Sequence, residues 1–236
     1  LWRDNSVGSF GDVGCFSFFP TKNLGAAGDA GAVSTRDKLI AQKVRELAVH
    51  GMPRRYLHSS LGYNSRLDSI QASVLNIKIP YLSNWVKQRF LIAKNYKDLL
   101  NDSQGIISLP SYQEGSKSKH GWNQFVIRVP NSKKNKALLK KFLNDNFPQE
   151  DLTEDLSSRD LLKKALKNQN IDTIIYYPIP IHLQPAYKKL GYSKGSLPIT
   201  ERLCNEVLSL PMFPEMTIEE QLYVVESIKK AFQLIA

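Results

Sequence analysis

Ten residues, Phe16-Ser-Phe-Phe-Pro-Thr-Lys-Asn-Leu-Gly25, place one amine, that of Lys22, beyond an apolar run and a proline. The turn that carries it continues through Gly28-Asp-Ala-Gly31. A lysine in this setting is held by the edge of a sheet and flanked by backbone that can approach a ligand closely. That arrangement presents an amine to a carbonyl compound. Schiff-base chemistry needs the neutral amine, and a partly desolvated lysine loses its proton more readily than a surface one. The plain alternative is a surface lysine at a strand-to-turn junction, because such turns gather polar residues. Ser17 lies in the same apolar run, and a hydroxyl there needs a partner, either a ligand or the local backbone.

The elements that must position Lys22 follow from periodicity. Residues 14–19 read as a strand, 31–34 as the next, and Leu1-Trp2-Arg3 as part of a hairpin. Residues 37–49 have helical spacing, with Leu39, Ile40, Val44 and Leu47 on one face and a stop at His50-Gly51. After a polar loop over 51–64, Ser65 and Asp68 have the spacing of a capping box and open a helix that runs through Ile77. Pro80 breaks direction, and 81–100 reads as a long helix able to link two domains. Beyond it the pattern predicts strands at 124–129 and 173–177, and helices at 134–144, 159–169, 199–207 and 217–234. Residues 145–158 are acidic and aperiodic, as in a loop. The pattern is α/β in two parts, residues 1–80 and 81–236. A first part with so few strands should expose sheet edges and half a core.

At 236 residues and 42% hydrophobic, the chain is long enough for one or two domains with a proper core. It has no apolar run of membrane-spanning length and no signal-peptide pattern at its start, so a cytoplasmic protein with no membrane partner is expected. Cys15 and Cys204 lie far apart without metal-ligand spacing and read as reduced core residues. The net charge of +10 raises the question of nucleic acid. Its lysines fall in helical stretches such as 133–141 and 163–167, without interleaved aromatics, which fits solvated helix faces and not a nucleic-acid surface. A basic cleft would also suit a diphosphate.

Three blocks carry a resemblance. They are GSFGDVGCFSFFPTKNLGAAGDAGAVST (8–35), HGMPRRYLHSSLGYNSRLDSIQASVLNIKIPYL (50–82), and IIYYPIPIHLQPAYKKLGY (174–192) followed by LSLPMFPEMT (208–217). In this order they resemble the DegT/StrS family of sugar-nucleotide aminotransferases. The resemblance implies an aspartate-aminotransferase-like, fold type I fold that depends on pyridoxal 5'-phosphate. Residues 1–80 would be the end of the large cofactor-binding domain, and 81–236 the small C-terminal domain. It further implies a homodimer with shared active sites. The reaction implied is transfer of an amino group from glutamate to a nucleoside-diphosphate keto sugar, in surface polysaccharide or amino-sugar biosynthesis.

Residue by residue, Lys22 matches the lysine that binds the cofactor covalently and then moves the proton. Relatives with His in its place are dehydratases, so Lys22 favours transamination. Ser17 matches a serine on the cofactor phosphate, and Asn64 a residue that reaches the neighbouring subunit's phosphate; its other reading is a helix cap beside Ser65. Arg66, in the family's Asn-x-Arg pattern, faces the sugar or its diphosphate, or else solvent. Arg54, Arg55, Tyr56 and His58 occupy the matching substrate-side loop. Tyr177 and His182 match positions near the substrate, the prolines around them stiffen the chain, and Met212, Phe213 and Met216 read as core.

The chain departs from the pattern at Ala30, where Gly is usual, at Tyr176-Tyr177, where His-Tyr is common, and in the long stretch 131–158. The family's acidic Glu-Asp-x-x-Gln-like segment, whose Asp keeps the cofactor nitrogen protonated, would fall just before Leu1, so a longer parent enzyme is expected. Two other readings stand beside this one: a non-catalytic remnant that dimerises without turnover, and, from charge alone, a nucleic-acid binder.

Overall fold

The apolar run ahead of Lys22 forms β1 (Gly14–Ser17), which pairs antiparallel with β2 (Gly31–Ser34), so that Cys15 faces Val33 and Ser17 faces Gly31. This computed structural model describes residues 1–103, 105–111, 117–152 and 154–235. Thr153, inside the expected acidic loop, lies outside them. The described residues divide into two units: 1–87 with 117–121, and 88–111 with 122–235.

In the first unit α1 (Lys38–Ala48) follows β2. Its cap is Asp37, whose carboxylate accepts from the Leu39 and Ile40 amides at 2.7 and 3.3 Å, satisfying donors that a helix start leaves free. The expected stop is realised by positive φ at His50 (64°) and Gly51 (70°). A Cβ at residue 51 would overlap the Ser60 carbonyl oxygen, so this turn needs glycine on two counts. Next comes α2 (Ser69–Lys78), and α3 (Leu82–Leu99) crosses the division between the units. Burial in the first unit is thin: among its described residues Ala26 and Leu75 are the buried hydrophobic ones, while Trp2, Phe10, Phe16 and Phe19 are exposed.

The second unit holds the main core. β3 (Phe125–Arg128) is followed by α4 (Lys133–Asn146), α5 (Ser158–Lys167), α6 (Pro198–Glu206), β4 (Val207–Leu210) and α7 (Ile218–Ala231). β3 and β4 pair antiparallel with Ile127 opposite Leu208, and single bridges from Ser108 and Ile174 extend the sheet on either side. Leu139, Leu143, Leu161, Leu162, Leu166 and Ile228, from α4, α5 and α7, are completely buried, as are Phe125 and Ile127 of β3. Such burial is the dominant favourable term in folding. Among the described residues, no helix is long and apolar enough to cross a membrane.

Several expectations need correction. Leu1-Trp2-Arg3 forms no strand, only a bridge between Trp2 and Asn5. The capping box at Ser65 and Asp68 is absent: the helix starts at Ser69, and its cap Asp68 makes no side-chain bond. Residues 173–177 contribute the single Ile174 bridge instead of a strand, and β4 was not expected. Both cysteines are free, but Cys15 is exposed and Cys204 half-buried. Met216 is in the core, whereas Met212 is half-buried and Phe213 exposed, because the chain leaves β4 through Pro211 toward the surface.

Candidate functional site

Lys22 sits in a turn closed by its own backbone. The Ala26 amide donates to the Phe18 carbonyl at 2.8 Å, and the Lys22 amide to that of Phe19 at 2.9 Å. Gly25 is required at the close of the turn, since a Cβ there would overlap the Pro20 carbonyl oxygen. Asn23 donates from its side-chain amide to the Gly121 carbonyl at 2.6 Å, within the same unit. The result is a stiff backbone carrying a flexible amine. Among the described residues, the Lys22 ammonium has neither a hydrogen bond nor an ion pair.

Lys22 is half-buried and lines an open cavity of about 930 Å³ within the first unit. Ser17, Asn64 and Arg66 line the same cavity, so the structure brings together four of the ten residues singled out from sequence. Ser17 ends β1, and its hydroxyl oxygen accepts from the Phe19 amide at 3.4 Å. That bond realises the local-backbone reading of Ser17 while using no hydroxyl proton, which stays available to a ligand.

Asn64 and Arg66 reach the cavity because the end of α1 pins the returning chain. The Tyr63 amide donates to the Leu47 carbonyl at 2.7 Å, Ser65 to Ala48 at 2.9 Å, and Val49 bridges Asn64. Arg66 Nη1 lies 3.3 Å from His50 Nε2; a guanidinium has only donors, so the imidazole nitrogen accepts. His58 Nδ1 meets the His50 carbonyl at 2.9 Å, and Arg55 stacks over Tyr56 at 4.9 Å. Arg54, Arg55, Tyr56 and His58 are all exposed.

Tyr177 and His182 belong to the second unit. The Tyr176–Tyr177 peptide is cis, and Tyr177 is 67% exposed. His182 is buried, with its ring edge-on to Tyr192 and Nε2 3.1 Å from Glu201 Oε1. The Glu201 carboxylate also accepts from the Gly195 amide at 2.9 Å and from the Leu197 amide at 3.2 Å. The Gly195 bond above all, with those from His182 and Leu197, holds this carboxyl below the usual glutamate range.

Sequence reading missed the groups that hold the Lys22 turn from outside, Gln71 and Lys78 of α2. The Gln71 side-chain oxygen accepts from the Ala27 amide at 2.9 Å, and Lys78 Nζ donates to the Gly25 carbonyl at 2.7 Å. It also missed Asp29, which puts one carboxylate on a cavity wall that carries Lys22 and Arg66. The surplus of positive charge and the free amine suit an anionic carbonyl compound.

The model of the DegT/DnrJ/EryC1/StrS aminotransferase family matches residues 1–152 and 149–229. The chain is 41% identical over 236 residues to "Pleiotropic regulatory protein" of Geobacillus stearothermophilus, covering all of this chain and 56% of that protein. It is 39% identical to the UDP-N-acetyl-3-dehydro-alpha-D-glucosamine 3-aminotransferase of Acidithiobacillus ferrooxidans, covering 91% of this chain and 49% of the relative. Among solved structures, S. venezuelae DesV in complex with a ketimine intermediate superposes with a TM-score of 0.79 at 32% identity, covering 100% of this chain and 55% of that one. The chain thus spans about half the length of the curated relatives it matches.

Proposed function

The chain belongs to the DegT/DnrJ/EryC1/StrS aminotransferase family, and from that premise we propose that it forms part of a pyridoxal-phosphate-dependent aminotransferase acting on sugar nucleotides. The amino donor is glutamate and the acceptor a keto sugar on a nucleoside diphosphate. The setting is cytoplasmic amino-sugar or surface-polysaccharide biosynthesis, in a homodimer with shared active sites. The observation that carries this reading is the Lys22 amine, without a bond among the described residues, on a rigid turn and in one cavity with Ser17, Asn64 and Arg66.

The residues present fit the cofactor. The cavity is of ligand size, and its donor set combines an amine for an aldehyde with a hydroxyl for a phosphate. When bound, pyridoxal phosphate supplies the aldehyde that takes up the amino group and the ring that spreads the electron pair left on the donor carbon. Lys22 Nζ would hold the cofactor covalently and, once the incoming amino donor has displaced it, the freed Nζ would take up the proton from the amino-bearing carbon. The Ser17 hydroxyl donates its unused proton to the phosphate, and Asn64 serves the phosphate across the dimer. Arg66, Tyr177 and His182 bind the sugar nucleotide, with Glu201 fixing the His182 ring. Residues 1–80 act as the end of the cofactor domain and 81–236 as the small domain.

The test follows the absorbance of the cofactor-loaded protein while glutamate is added. Conversion of the cofactor to its amine form, with stoichiometric release of 2-oxoglutarate, is expected. A spectrum indifferent to glutamate and to every other amino acid would contradict the proposal. The reading as a non-catalytic remnant predicts that indifference, together with dimerisation.

A further inference from the structure

Gln71, Leu75 and Lys78 stand at i, i+4 and i+7 of α2 and therefore share one face of the helix. Leu75 is buried at the centre of that face, and the two polar side chains on either side are half-buried. Both end on the backbone of one short segment: Gln71 accepts the Ala27 amide proton, and the Lys78 ammonium donates to the Gly25 carbonyl. The segment they hold closes the turn that carries Lys22, through the bond from the Ala26 amide to Phe18.

We propose that Gln71 and Lys78 are positioning residues for Lys22, an inference that rests on the reading of Lys22 as the cofactor-binding amine. A lysine stem has four rotatable carbons, so the amine can be aimed only as well as its backbone is fixed. Two contacts from a single helix face fix that backbone at residues 25 and 27, one end of the turn. The bond from Lys78 is charge-assisted, the stronger kind, and its acceptor is the buried Gly25. Gly25 cannot be exchanged for a residue that would stiffen the turn in its own right, because of Pro20. α2 therefore adds, at residues 25 and 27, to the rigidity that the turn's own backbone bonds and the Asn23 contact provide.

The test uses Lys78→Met, Lys78→Arg and Gln71→Ala, each checked by melting temperature. Hydrogen exchange of peptides spanning residues 19–30, without cofactor, reports the clamp itself. Pyridoxal phosphate followed by borohydride and peptide mapping then reports the share of stable label on Lys22. In Lys78→Met, exchange should rise about tenfold, and the Lys22 share of the label should fall several-fold toward that of surface lysines. Gln71→Ala should move both readouts the same way, and Lys78→Arg, which keeps a donor, should restore both. Unchanged exchange in both Lys78→Met and Gln71→Ala would overturn the proposal, as would faster exchange with undiminished label on Lys22. Absence of Lys22-directed label in the unmodified protein would refute the reading of Lys22 itself and with it the positioning role, while the exchange data would still measure the clamp.

Discussion

The carbonyl oxygen of Pro20 occupies the space that a side chain on Gly25 would need. The two residues bracket Lys22, so the tightness of the turn and the identity of residue 25 are one constraint. Gly25→Ala should force the turn open and cost about 1–3 kcal/mol of stability, the range for overpacking a close contact. Thermal unfolding read against covalent labelling of Lys22 checks this, and both should fall together.

Glu201 should make stability depend on acid pH. Its carboxyl is held below the usual range, first by the Gly195 amide and then by His182 and Leu197. A carboxylate with a folded-state pKa below its unfolded value contributes stability that is present at neutral pH and lost as pH falls through the folded value. Melting temperature followed from neutral pH downward should therefore drop more steeply in the unmodified protein than in Glu201→Gln. The variant should melt lower at neutral pH, and the gap should close in acid.

Arg89 holds three carbonyls, those of Trp122, Asn123 and Met212, at 3.3, 3.2 and 3.0 Å from Nη1. Burial pushes its pKa down, against the opposing charge of Glu215, so the guanidinium stays only because its bonds compensate. Arg89→Met should cost about 2–3 kcal/mol, the penalty for leaving buried acceptors unpaired. Arg89→Lys should recover part of that, since an ammonium cannot reproduce the planar fork. Denaturant unfolding gives the comparison.

Thr217 caps α7 in a reciprocal box: its hydroxyl accepts from the Glu220 amide at 3.2 Å, and the Glu220 carboxylate accepts from the Thr217 amide at 2.8 Å. Thr217→Ala should destabilise the second unit by about 1 kcal/mol. Because α7 places Val225 and Ile228 in the core, the loss should appear in global unfolding and not as fraying alone.

The parts of the fold that were legible in sequence are those governed by neighbours along the chain. Pro20, Gly25 and the apolar run before them announced the Lys22 turn, and the spacing of Leu39, Val44 and Leu47 announced α1. What escaped depends on distant partners. β4 is four residues directly after a helix, too short to show a period, and it exists as a strand because it pairs with β3 about 80 residues earlier. Cys15 looked like core because its strand is apolar, yet only Gly14 of β1 is buried. At the site, Lys22, Ser17, Asn64 and Arg66 were singled out by the resemblance and share one cavity, whereas Gln71 and Lys78 left no local mark, since they bond backbone atoms 44 and 53 residues away.

In the proposed function Lys22 is the amine that takes a carbonyl cofactor. The most direct measurement is titration of the purified protein with pyridoxal phosphate, then borohydride reduction and peptide mass mapping, with Lys22→Ala alongside. A saturable absorption band and a single dominant label on Lys22 are expected, both absent from Lys22→Ala. Lys22→Ala should be within about 0.5 kcal/mol of the parent in stability, as expected for a half-exposed side chain without bonds among the described residues. Label spread over surface lysines in proportion to exposure, unchanged in Lys22→Ala, would contradict that role of Lys22.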